Sequence, residues 1–226
     1  MSRHRMINIE CPICKKEGAF QIWESINTTL DPEMKQAVLD KSAFLFKCPG
    51  CGNETYVDYG TLYHQMEDKI MIHYATTDEN EQEILDMLKF DEDNKMNNLF
   101  KNMISNNYLI RIVRSQNALR EKIQIFDAGL DDRIIEIAKI YIWIMYKDQN
   151  PNSKDVEIFF LKDNDENIFV ILDDGRQVAT APITDEFYDS LFEKHNINPD
   201  DIRKNEYIID FDWAWNAMGL GKTVES

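Results

Sequence analysis

Cys11-Pro12-Ile13-Cys14 and Cys48-Pro49-Gly50-Cys51 decide how the rest of the chain is read. These two CPxC units contain every cysteine of the 226-residue chain. In each, the proline fixes a tight turn, the two sulfurs converge on one side, and main-chain N–H groups are placed to donate to thiolates. Gly52 lets the chain leave the second turn without a Cβ clash. Four thiolates complete a tetrahedron and leave no position for water or substrate. Cys11, Cys14, Cys48 and Cys51 are therefore the expected ligands of one structural Zn2+ ion, not a catalytic one. Three other uses of the same residues stay open: disulfides, which nothing in the chain's start favours; a thioredoxin-like redox pair, which needs a strand-to-helix context; and an iron–sulfur cluster. The stretch Lys15–Lys47 between the pairs exceeds the ~15–20 residues of a simple zinc ribbon, so a helical insertion is expected there.

Outward from the cysteines, Met6–Glu10 and Ala43–Lys47 read as strands entering the two turns. Phe20, Ile22 and Trp23, and then Tyr56 and Val57, read as strands leaving them. In the insertion, Asp31-Pro32-Glu33 supplies an N-cap, a proline at the first helical position and an acid in the first turn of a helix reaching Leu39. The alternation of Tyr63, Ile70, Ile72 and Tyr74 predicts one or two strands within Leu62–Thr76. Helices are predicted over 78–94 and 96–104, and a strand over 108–113. Ser115 caps a helix that stops at Gly129, and Asp131 caps a strongly apolar one. After Asp132 in its first turn, that helix has only Arg133, Glu136 and Lys139 as polar residues through its first half, and they read as a narrow wet stripe.

The polar stretch 147–153, with Pro151, marks the expected boundary between a domain at 1–147 and a smaller one at 154–226. Beyond it, 156–161, 168–172 and 177–181 read as three strands, the last two joined by the tight turn Asp173-Asp174-Gly175. Thr184 caps a following helix. Tyr207–Phe211 reads as a strand, and Asp212 as the cap of a final helical turn. The fold class is α+β: zinc-ribbon-like β-hairpins with a helical insertion, joined to a mixed helix and strand core, plus a small C-terminal antiparallel sheet with helices.

The net charge of −16 repels phosphate backbones and anionic lipid, so nucleic acid is a disfavoured partner. The most apolar stretch, Ile134–Tyr146, is too short for a bilayer and carries Glu136 and Lys139, so no membrane span is expected. The chain opens with no apolar run of signal-peptide length, so a cytoplasmic location is expected.

The two CPxC pairs, the Asp31-Pro32-Glu33 helix, Glu121-Lys122-Ile123, Gly129-Leu130-Asp131-Asp132-Arg133 and the late Trp213-Ala214 together resemble the CpXC-domain proteins. The likeness covers about residues 6–147 and implies metal binding by Cys11, Cys14, Cys48 and Cys51, and nothing about catalysis. Lys15 stands where knuckles of this kind usually place glycine.

Other constellations have ordinary readings. Gly221-Lys222-Thr223 echoes a phosphate loop, but Asn216 sits at the required first glycine and too little chain follows for a helix. Asp163, Asp165 and Asn167 imitate a calcium loop, yet Ile168 replaces its glycine and Asp174 its glutamate, leaving a hairpin loop. Asp131, Asp132, Arg133, Glu136 and Lys139 read as helix capping plus surface pairs, the functional alternative being a contact face for the zinc lobe or a ligand. His4 lies close enough in sequence to replace a ligand, though four cysteines already saturate zinc; His64 and His73 read as structural strand histidines. With no defensible catalytic constellation, the expected function is a non-enzymatic zinc-dependent scaffold or interaction module with a protein partner. A thiol–disulfide oxidoreductase and a nucleic-acid-associated zinc-ribbon regulator are the alternatives.

Overall fold

The structure is a computed structural model, and it describes residues 2–88, 107–163, 166–202 and 206–221. It divides into two compact units, Met1–Arg120 and Glu121–Ser226.

In the first unit, β1 (Arg3–Glu10) and β2 (Glu17–Asn27) form an antiparallel hairpin whose turn is the first CPxC pair. Helix α1 (Glu33–Leu39) is the predicted insertion, and it buries Met34 and Val38. A short 3-10 turn, Ser42–Phe44, leads into β3 (Leu45–Lys47), which pairs antiparallel with β4 (Glu54–Tyr56) across the second CPxC pair. Strands β5 (Thr61–Gln65) and β6 (Ile70–Tyr74) follow, then α2 (Asp78–Leu88) and β7 (Leu109–Val113). The five-stranded sheet runs β1-β2-β5-β6-β7, parallel at β2–β5 and β6–β7 and antiparallel elsewhere. Every residue of β6 and β7 is buried, His73 and Arg111 included, so these two strands have no solvent face even though Ile70, Ile72 and Tyr74 alternate as in a half-exposed strand. Phe20 meets Phe46 and Tyr59 edge-on at centroid separations of 6.1 Å, tying the sheet to the β3–β4 ribbon.

Helix α3 (Gln116–Asp127) crosses the dividing line between the units. Ser115 caps it by accepting the Ala118 N–H at 3.0 Å, and Gly129 takes the left-handed conformation that ends it (φ +71°). In the second unit α4 (Asp132–Gln149) starts at the cap Asp131, whose carboxylate accepts the Arg133 N–H. The antiparallel sheet is β10-β9-β8, built from β8 (Val156–Asp163), β9 (Glu166–Asp173) and β10 (Arg176–Pro182), with Asp174 and Gly175 both at positive φ in the β9–β10 turn. Helix α5 (Asp185–Lys194), capped by Thr184, and α6 (Phe211–Ala217) complete it. The core gathers Ile134, Ile137 and Ile140 of α4 with Phe160, Phe169, Leu191 and Ala214.

The two compact units meet in sequence inside α3, and within the second of them α4 packs against β8, α5 and α6. Several expectations change. Asp31 makes no side-chain cap: Pro32 already has helical angles, and Met34 donates to the main-chain oxygen of Asp31. Tyr207–Phe211 forms no strand among the described residues. Ile209 packs into the core without a ladder, and Asp210, not Asp212, caps α6 by accepting the Trp213 N–H at 2.8 Å. The helix expected at 96–104, the end of the one expected at 78–94, Asp165, and Lys222-Thr223 lie outside the described residues. None of the described helices is long and apolar enough to cross a membrane.

Candidate metal centre

The two CPxC turns repeat one hydrogen-bond pattern. In the first, Lys15 N–H donates to the Cys11 carbonyl at 3.0 Å and Cys11 N–H to Lys16 at 3.0 Å; in the second, Gly52 donates to Cys48 at 3.0 Å and Cys48 to Asn53 at 2.8 Å. Equivalent positions share a left-handed backbone, φ 62° at Lys15 and φ 74° at Gly52. The lysine that replaces the usual glycine therefore carries strain that Gly52 does not.

Glycines that the sequence reading passed over let the turns meet. A Cβ at Gly18 would stand 2.7 Å from Pro49 Cδ and 2.9 Å from the Phe46 ring. A Cβ at Gly50 would stand 2.7 Å from Lys16 Cδ and 3.3 Å from Cys14 Sγ. Each turn thus rests on backbone of the other. The signal available in sequence was a glycine early in a β-rich segment, which marks close backbone approach.

Together these contacts bring the four Sγ atoms within 4.8 Å of one another, with Cys11–Cys51 at 3.7 Å and Cys14–Cys48 at 3.5 Å. Regular tetrahedral thiolate coordination at ~2.3 Å per bond sets sulfurs ~3.8 Å apart, so the donor set fits a metal ion. All four are free thiols; Cys11 and Cys48 are buried, Cys14 and Cys51 exposed. Hydrogen bonding from the Cys51 main chain, assisted by Gly50, pulls the Cys48 thiol down to about 6 against the opposing effect of burial. At Cys51 the Asn53 N–H favours the thiolate. Shared protons with Cys14, burial and the other two thiols outweigh it and push the group up to about 12. Both pairs sit in strand-to-strand turns, not at the start of a helix, which removes the setting that a thioredoxin-like pair requires.

The histidines stand apart from this group. His4 packs on Trp23 with ring centroids 4.8 Å apart, and His64 Nε2 lies 3.3 Å from the Tyr108 hydroxyl. His73 is buried in β6, its Nε2 has no partner among the described residues, and desolvation lowers its pKa to about 4.

The expected wet stripe on α4 is dry. Asp132, Glu136 and Lys139 meet Glu121 and Lys122 of α3 in an alternating chain of charges, every side chain at most 6% exposed. Lys122 Nζ bridges Asp132 (3.0 Å) and Glu136 (3.1 Å), and Lys139 Nζ bridges Glu136 (3.1 Å) and Glu121 (2.7 Å). Three carboxylates face two ammoniums, and both ends are compensated: Asp132 sits in the first turn of α4, and Glu121 accepts the Phe160 N–H. Arg133 makes a separate buried pair with Asp131 at 2.6 Å and donates to the Asn198 carbonyl at 3.0 Å. The set is neither a row of surface pairs nor an open contact face. A helix apolar on its remaining sides has no wet side to spare, and that was the signal for burial.

The fold and site define an α+β protein built on a two-turn, four-cysteine centre of zinc-ribbon type. The sequence model of the family described as CpXC protein matches residues 9–139, more than half of the chain. The chain belongs to that family. The match spans the four cysteines and all five members of the buried charge chain. Neither the curated proteins nor the solved structures gave a match.

Proposed function

We propose that the protein is a non-enzymatic, cytoplasmic member of the CpXC family in which Cys11, Cys14, Cys48 and Cys51 hold one structural Zn2+ ion, and that the lobe so ordered serves as an interaction module for a protein partner. The observation that carries the reading is the convergence of four sulfurs within 4.8 Å from two separate turns. Such a set saturates a tetrahedral ion and leaves no position for substrate. Bound there, zinc supplies a cross-link worth ~10–16 kcal/mol at neutral pH, enough to hold two short hairpins together. The chain's own part is steric: Gly18 and Gly50 let the turns approach, and the internal N–H donors fix each turn. The charge of −16 favours a protein partner over nucleic acid.

Elemental analysis of the purified chain, paired with thiol alkylation, tests this. The expected result is about one zinc per chain, with alkylation slow until a chelator is added. A chain with no bound metal, or one CPxC pair alkylated rapidly while zinc stays bound, refutes it. Iron in place of zinc, seen as visible absorbance, refutes the zinc assignment alone.

A further inference from the structure

Each turn of the cluster contributes one exposed and one buried cysteine: Cys14 and Cys51 are exposed residues, while Cys11 and Cys48 are 0% and 2% exposed. The sulfur contacts at 3.5 and 3.7 Å run between the turns, and each couples an exposed cysteine with a buried one, Cys14 with Cys48 and Cys51 with Cys11. Thiolates held in a metal site remain nucleophiles toward small oxidants where those oxidants can reach them.

We propose that the cluster is a peroxide-responsive latch, in which Cys14 and Cys51 are the entry sulfurs and Cys48 and Cys11 the resolving ones. The products are disulfides between the turns, not within them. This rests on the reading that the four cysteines hold one ion. In the first step the Cys14 thiolate attacks hydrogen peroxide and the O–O bond breaks. Cys14 becomes a sulfenic acid, and the departing hydroxide takes a proton from solvent to form water. The Cys48 thiolate then attacks the Cys14 sulfur, the S–S bond forms and the S–O bond breaks. The second hydroxide also leaves as water. Two thiolates lose two electrons in total, one peroxide is reduced to two waters, and two protons are consumed. The contact has only to close from 3.5 Å to the ~2 Å of a disulfide. The site then keeps two of its four donors, too few to retain the ion. A second peroxide closes Cys11–Cys51 in the same way.

The lysines around the cluster make the outcome readable. Trypsin cuts after Lys15 and Lys47, leaving Cys11 and Cys14 in one peptide and Cys48 and Cys51 in another. The zinc-loaded full chain is treated with stoichiometric hydrogen peroxide, released metal is followed with a chromogenic chelator, and non-reduced peptides are mapped by mass spectrometry with and without a sulfenic-acid trap. The expected result is release of about one ion per equivalent of peroxide consumed, a covalent link between the two peptides, trap adducts on Cys14 and Cys51 only, and recovery of metal binding after reduction. Separate peptides each with an internal disulfide, adducts on Cys11 or Cys48, or zinc retained under excess peroxide overturn the proposal. If the chain carries no metal as purified, the zinc reading is what fails, and the peptide map of the metal-free chain still decides the pairing.

Discussion

Replacing Lys139 by methionine tests whether the charges between α3 and α4 act as one dry unit. The ammonium sits 2.7 Å from Glu121 and 3.1 Å from Glu136, and none of the three side chains is more than 6% exposed. At an effective dielectric of about 20, each such contact is worth roughly 5 kcal/mol before desolvation is subtracted. Burial pushes the Glu121 carboxyl up, with Lys139 pulling it back. Burial also acts to lower the Lys139 pKa, but the two facing carboxylates outweigh it and hold that pKa above the ordinary lysine value. Methionine fills the same volume and removes the cation, leaving two carboxylates near each other with only Lys122 in reach. One of them escapes by taking a proton, which at pH 7 costs a carboxyl group of ordinary pKa roughly 3.5 kcal/mol. That agrees with the ~3–5 kcal/mol lost when one partner of a buried pair is deleted. The sign with pH follows. A group whose folded pKa is raised adds stability below its unfolded pKa and loses it as pH rises, so the deficit of the variant shrinks to ~1 kcal/mol near pH 5. Urea unfolding followed by tryptophan fluorescence reads the second unit, which holds Trp143, Trp213 and Trp215 against Trp23 alone in the first. Adding Glu121→Gln, which keeps an acceptor for the Phe160 N–H, recovers most of the loss. A cost under ~1 kcal/mol at pH 7, or one that does not change with pH, would refute the reasoning and leave only packing.

Four further outcomes are expected. His73 is neutral in the folded chain because its pKa is lowered to about 4; the unfolded chain alone binds its proton between about 6.5 and 4, so the first unit loses roughly 3 kcal/mol as pH falls through that window, and His73→Leu flattens that part of a pH–stability curve. Lys15→Gly relieves the φ 62° conformation and raises the thermal midpoint of the metal-loaded chain by the equivalent of ~1 kcal/mol, slightly reduced by loss of the exposed Glu10 contact. Gly18→Ala drives a methyl group into Pro49 and Phe46, costing ~1–3 kcal/mol and speeding zinc loss to a chelator, whereas Gly52→Ala strains the backbone alone. Asp210→Ala costs about 1 kcal/mol in chemical denaturation, while Asp212→Ala costs only a few tenths, since Asp210 is the residue that caps α6.

The cysteine centre was readable because the identity of the donors already contains the chemistry: four thiols in two CPxC turns have few uses, and their spacing places each pair on one side of a turn. Hairpin strands were readable for a related reason. The spacing of Tyr63 in β5 and of Ile70, Ile72 and Tyr74 in β6, and the closed turn at Asp173-Asp174-Gly175, are local signals, satisfied within a few residues. Where a local signal had two ways to be satisfied, the reading failed. Asp31 offered a side-chain cap, but Pro32 is already helical and a main-chain oxygen takes the Met34 N–H. Tyr207-Ile208-Ile209 has strand composition, yet Ile209 is satisfied by burial alone while Asp210 opens a helix. The close approach at Gly18 depends on a partner far along the chain at Pro49, and no local pattern specifies it.

The charge chain shows how far the difference reaches. Arg133, Glu136 and Lys139 at three-residue spacing are what a solvated helix face looks like, and on an isolated helix they would be one. What changes the answer is Glu121-Lys122, which supplies the opposite charges in the complementary order, so that signs alternate from Asp132 to Glu121 without a gap. A helix that presents charge to charge can bury every residue from Asp132 to Ile140 without leaving an uncompensated ion, and the positions around it are isoleucines because that surface never meets water. Polar residues in α4 therefore signal a partner helix, just as paired cysteines signal a second turn. In both cases the group that completes the set lies elsewhere in the chain: Cys48 and Cys51 announce themselves by repeating the motif, whereas Glu121 and Lys122 resemble any exposed pair until α4 is folded against them.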